Sequence, residues 1–160
     1  MMKAEHPSNI SPRQPHVTAE IPDHWTLKPH ANAVIAAFDP TTPVGARTTM
    51  YVTVGRIVGD VTMEEVVAKG HAALTTKFPG AVVESSSPGL VAGHPAQFVA
   101  MTVNSPEFPV TLFQTETTVC VPTENPEVRH LVQVLCKCSG LAARELAPVF
   151  ASIVRSLTIS

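Results

Sequence analysis

Cys136-Lys137-Cys138 comes nearest, by residue type and spacing, to reactive chemistry. On a strand, residues two apart share a face, so His130 and Val134 would stand on the same face as both thiols. Such a group could hold a soft metal or cycle a disulfide. Zinc takes four nitrogen or sulfur ligands in a tetrahedron, and the sequence has no CxxC partner and no second ligand cluster. Extended Cα atoms two residues apart stand about 6.6–6.8 Å from each other, the outer limit for a disulfide. Both cysteines are therefore expected to be small buried hydrophobes. With Cys120 the count is three, a poor disulfide framework that fits a reducing compartment better.

Other catalytic patterns are missing. The seven histidines, His6, His16, His24, His30, His71, His94 and His130, are dispersed, with neither HExxH nor His-x-His among them. There is no G-x-S-x-G elbow, and Ser85-Ser86-Ser87 before Pro88-Gly89 suits a turn. Glu64 and Glu65 suit a helix N-terminus and its dipole. Glu116 is the oddly placed acid, mid-strand between Thr115 and Thr117; its alternation with Gln114 and Thr118 points to a solvated face. No glycine-rich phosphate loop occurs, and Asn9-Ile10-Ser11 is an incidental glycosylation match. No cofactor is expected.

These residues sit in a chain of 160 with a hydrophobic share of 44%, enough for one domain with a real core. Charged residues reach only 15% and the net charge is −2, with no basic stripe to track phosphates, so nucleic acid is not an expected partner. No run approaches the eighteen or so apolar residues of a membrane span. Residues 1–16, with several prolines and no apolar periodicity, are expected to form a flexible tail before a single domain over 17–160. The tail has no apolar h-region and no lipid-attachment Cys, so a cytoplasmic location is expected unless a leader has been trimmed.

Val17–Ile21 suggests a short edge strand ending at Pro22, and Trp25 an anchor onto the core. Ala33–Phe38 and Thr49–Val58 read as strands. A helix follows from Thr62, with Glu65 completing a capping box and Met63, Val66, Val67, Gly70, Leu74 and Phe78 on one stripe. Gly70 within that stripe predicts a close approach to a sheet. Strands are expected at Ala81–Ser85, Leu90–Ala92, Gln97–Val103, Pro109–Val121 and Glu127–Cys138, the first ending in a Ser-Ser-Pro-Gly turn. A second helical region opens at Ser139-Gly140 and carries Pro148, which predicts a kink or a fresh start. Strands, helix, strands, helix is the order of an α+β fold: a twisted, mostly antiparallel sheet of about six to seven strands flanked by two helices.

The opening Ile21-Pro22-Asp23-His24-Trp25, the helix from Thr62, Phe78-Pro79-Gly80, Gly93-His94-Pro95-Ala96, Gln114 and the final helix through Ile153 to Leu157-Thr158-Ile159 follow one another in a familiar order. Over residues 17–160 the chain resembles the PsbP-like superfamily, an α/β/α sandwich. That superfamily includes photosystem PsbP, a Ran-binding transport factor, the LpqN-type lipoproteins of actinobacteria and type VI secretion effector chaperones. Ala31-Asn32-Ala33-Val34 and Arg56-Ile57-Val58-Gly59 are most similar to the LpqN type. That group carries an export signal and a lipid-modified Cys, which this sequence does not match. The resemblance implies a non-catalytic role and supplies no catalytic residues.

The expected function is therefore a protein-binding adaptor or chaperone-like module, linked to secretion or the cell envelope, whose partner is another protein or a second copy in a homodimer. The alternative is a carrier of small apolar ligands, with a pocket between helix and sheet. The residues expected to line that pocket or a partner surface are Trp25, Phe38, Phe78, Gln114 and Glu116. A thiol or metal enzyme using Cys136, Cys138 and His130 is the third reading.

Overall fold

The computed structural model describes residues 1–160. Seven strands form one sheet: β2 (Thr26–Leu27), β3 (Ile35–Phe38), β4 (Thr49–Val58), β5 (Ala81–Val91), β6 (His94–Val103), β7 (Leu112–Pro122) and β8 (Val128–Ser139). Their spatial order is β2-β3-β4-β8-β7-β6-β5, antiparallel at every pairing. Two short strands, β1 (Val17–Thr18) and β9 (Thr158–Ile159), form a separate ribbon that ties the two ends of the domain together. Residues 1–15 carry no helix or strand, yet Asn125 Nδ2 donates to the Asn9 carbonyl (3.0 Å) and Arg56 to that of Pro12 (3.3 Å).

The period-two alternation of the long strands assigns each residue to a face. On one face Met50, Val52, Val119, Val132, Val134, Cys136 and Cys138 meet Phe150, Ile153 and Val154 of helix α2 (Ala143–Arg155). On the other, Ile57, Val99, Met101, Val103, Leu112 and Leu131 meet Met63 and Val67 of helix α1 (Met63–Lys77). Register keeps the two sets apart: Met50 stands opposite Cys136, and Val119 opposite Val132. An α+β sandwich follows, each fully buried aliphatic side chain contributing about 1.5–3 kcal/mol.

At the start of α1, the Glu65 N–H donates to Thr62 Oγ1 (3.1 Å) and the Thr62 N–H to Glu65 Oε2 (3.2 Å), the expected reciprocal cap. The expected close approach at Gly70 does not occur. Gly70 is exposed and a Cβ there would meet nothing within 4 Å, because the helix buries Met63 and Val67 and turns Gly70 outward. The glycine held tightly beside this helix is Gly80, where a Cβ would stand 2.2 Å from the Asn104 carbonyl oxygen.

The Ser-Ser-Pro-Gly turn is also corrected: Ala81–Val91 is one strand, interrupted only by a bulge between Val83 and Ser85. Because β5 is the sheet edge, Pro88 can lie within it. The reversal comes at Ala92 (φ 51°) and Gly93 (φ 80°), the two positive-φ residues of a tight hairpin. A 3-10 turn, Gly140–Ala142, leads into α2, which runs unbroken through the exposed Pro148, so the fresh start does not occur. On the solvent side the carbonyl that Pro148 leaves without a donor can bind water.

Candidate functional site

Of the five residues singled out from the sequence, the three aromatics do not converge. Trp25 is buried in the core beneath α2, whereas Phe78 caps α1 on the opposite face and stacks on Phe108 with ring centroids 5.3 Å apart. Phe38 lies near the sheet edge, its ring 5.2 Å from Lys28 Nζ and 5.0 Å from Arg47 Cζ. Face parity sets Trp25 apart from the other two, and the breadth of the sheet sets Phe38, near the β2–β3 edge, apart from Phe78, so the pocket expected around all three does not form.

Gln114 and Glu116 do share a face, the one on which α1 packs. Gln114 is buried, with Nε2 3.6 Å from Met101 Sδ. Glu116 lies in a row running across the sheet through Val99, Glu116, Leu135, Tyr51 and Ala36. It is half-buried rather than solvated; burial raises its carboxyl pKa and His71 pulls it back only in part. Beside it, where α1 leaves the sheet uncovered, His30, Tyr51, Thr53 and Gln133 help to line a polar depression of about 420 Å³.

The thiols are poorly suited to nucleophilic or metal chemistry. Burial pushes Cys136 up to about 12, despite a hydrogen bond with Thr115 that works the other way, and Cys138 up to about 11. Since the reactive species is the thiolate, both are inert at neutral pH. His130 shares their face but lies six residues from Cys136 along an extended strand, about 20 Å away. Burial, then Arg56, lowers the imidazole pKa. Asp39, buried at the end of β3, is a turn residue: Oδ1 accepts the Thr41 N–H (2.9 Å) and hydroxyl (2.7 Å) and Oδ2 lies 3.5 Å from His24 Nε2. Desolvation would raise its pKa, but the Thr41 hydrogen bonds and His24 outweigh it and leave the pKa lowered.

The most developed concavity lies on the opposite face, between α2 and the outer strands β5–β7. It is a groove of about 450 Å³, with ten hydrophobic residues among the fourteen that line it. From α2 come Ala147, Phe150, Ala151, Val154 and Arg155, the i, i+3, i+4, i+7, i+8 stripe of one helix face. From the sheet come Leu90, Val91, Phe98, Thr115 and Thr117. Two local features keep the groove open. The helix presents alanines at 147 and 151, and β5 contributes the small Ser85, so these side chains do not fill the gap. At Gly89 a Cβ would lie 2.4 Å from Phe98 Cε2, so the missing side chain lets that ring lie against β5. Leu90 remains 71% exposed at the rim. None of the five sequence-singled residues lines this groove. The signal that could have found it was the Ala147, Ala151, Val154 spacing beside the buried stripe of α2.

A seven-stranded antiparallel sheet held between two helices, with a groove beneath one of them, is an α+β sandwich. The chain belongs to the LpqN family: the family model described as "Probable lipoprotein LpqN" matches residues 2–160. The fold is similar to the crystal structure of LpqN involved in cell envelope biogenesis of Mycobacterium tuberculosis, with a TM-score of 0.76 at 17% identity, covering 97% of this chain and 87% of that one. It is also similar to cyanobacterial PsbP (CyanoP) from Synechocystis sp. PCC 6803, with a TM-score of 0.60 at 8% identity over 92% and 93%. A protein of unknown function, PA94 from Pseudomonas aeruginosa, superposes with a TM-score of 0.57 at 12% identity over 84% and 96%. No curated protein matches the chain. The family description gives no support to the cytoplasmic location expected from the N-terminal residues. No helix is long and apolar enough to cross a membrane.

Proposed function

We propose that this chain is a non-catalytic binding module of the cell envelope that holds a small apolar ligand in the groove between α2 and β5–β7. The observation that carries the reading is the groove itself, apolar along most of its lining and open at an exposed leucine. The envelope setting is supported by the family's lipoprotein description and by the role given for the M. tuberculosis LpqN. The adaptor reading finds less support at the strand edges. β5 is the one long edge, and its bulge and Pro88 both discourage the addition of a partner strand, while β2 at the other edge has two residues.

Titration calorimetry with octanol, nonanol and decanol tests the proposal. Each added methylene that is buried contributes about 0.8 kcal/mol, so affinity should rise about fourfold per carbon. Ala147→Trp places an indole in the groove and should abolish binding while leaving the unfolding midpoint close to wild type. Alkanols that bind the plugged variant as well as the wild type, or show no dependence on chain length, would refute the groove as the seat.

A further inference from the structure

Among the fourteen lining residues there is one charge, and it is a cation. Arg155 closes the α2 stripe at the helix's C-terminal end, beside Val154 and Ala151, and no acidic side chain lies within ion-pairing distance of it. A basic residue in the last turn of a helix is explained by the macrodipole; its place on the groove wall is not. Two acids adjoin the lining in sequence: Glu84, next to Ser85, is exposed and occupied, accepting the Thr102 hydroxyl at 3.1 Å, and Glu116, between Thr115 and Thr117, stands on the opposite face of the sheet. An apolar channel ending at one unpaired guanidinium is complementary to a molecule with an alkyl chain and one negative end. The planar fork of arginine matches a carboxylate in bidentate fashion.

Building on the proposed carrier role, we infer that the groove's ligand is a single-chain fatty carboxylate, with its chain along Phe98, Phe150 and Val154 and its head group on Arg155. The head group stays near solvent, since Arg155 is exposed, so the guanidinium selects among amphiphiles and the apolar lining supplies most of the affinity.

Decanoate and decanol, titrated at pH 8 into wild type, Arg155→Gln and Ala147→Trp, separate this inference from the carrier reading beneath it. Decanoate should bind wild type about two- to fivefold more tightly than Arg155→Gln, and raising the salt should erase most of that difference. Decanol should bind both proteins equally, and Ala147→Trp should bind neither ligand. If Arg155→Gln leaves decanoate affinity unchanged while decanol still binds, the head-group assignment is wrong and the carrier reading stands. If neither ligand binds wild type, both fall. The charge lost from the last turn of α2 is checked by the unfolding midpoint of Arg155→Gln, which should remain within a few degrees of wild type.

Discussion

His130 is 2% exposed, stands opposite Arg56 on β4 and Val121 on β7, and has an Nε2 without a hydrogen-bond partner. Burial and the neighbouring guanidinium both disfavour the imidazolium, so its folded pKa lies below the ordinary histidine value. In the unfolded chain the same ring takes up its proton near pH 6.5. Stability from a neutral His130 is therefore complete above that pH and is lost as the pH falls through it, with a slope of at most about 1.4 kcal/mol per pH unit. Asp39 also has a lowered pKa, but a carboxylate gives up its contribution only near pH 4 and below, so it does not disturb this window. Urea unfolding from pH 7.5 to pH 5.5 should show a decline that is smaller in His130→Leu. Parallel curves for the two proteins would contradict the assignment. At this scale the filler role of Cys136 and Cys138 was legible from their i, i+2 spacing and the absence of further ligands. The burial of His130 was not, because it depends on which residues of β4 and β7 stand beside it. Glu116 shows the same limit: its alternation was read correctly, but α1 packs near enough to take half its surface from water.

Among the elements, α1 and the turn after it make opposite demands on glycine. Gly70 is exposed within the helix with open space around its Cα, so Gly70→Ala should stabilise the fold by about 0.5–1 kcal/mol through helix propensity and a less flexible unfolded chain. Gly80→Ala would drive a methyl group to 2.2 Å from the Asn104 backbone oxygen and should cost about 1–3 kcal/mol as the backbone just after β6 gives way. Denaturant midpoints of the two variants should move in opposite directions; a shared direction would contradict this account of where the helix sits. The ends of β4 and the start of α1 were visible in the sequence because alternation and a capping box are local signals. The course of β5 was not. Ser85-Ser86-Ser87-Pro88-Gly89 has the composition of a turn, and only its position at the sheet edge lets proline and glycine continue the strand.

For the molecule as a whole, the division of labour lies between the two faces of the sheet. Both helices bury apolar stripes, but α1 leaves a polar depression around Tyr51, Glu116 and Gln133, while α2 leaves an apolar groove over β5–β7. The fold class and the number of strands followed from the order of elements. The groove did not, because a gap between a helix and the outer strands is a property of how the layers are placed, and small residues such as Ala147 and Ala151 are equally common in tight contacts. The most direct test of the account is amide chemical-shift mapping of the isotopically labelled protein titrated with decanol. Saturable shifts should be confined to Ser85, residues 90–92 and 98–100, Thr115, Thr117 and residues 147–155. Shifts centred on Tyr51, Glu116 and Gln133 on the opposite face, or none that saturate, would contradict it.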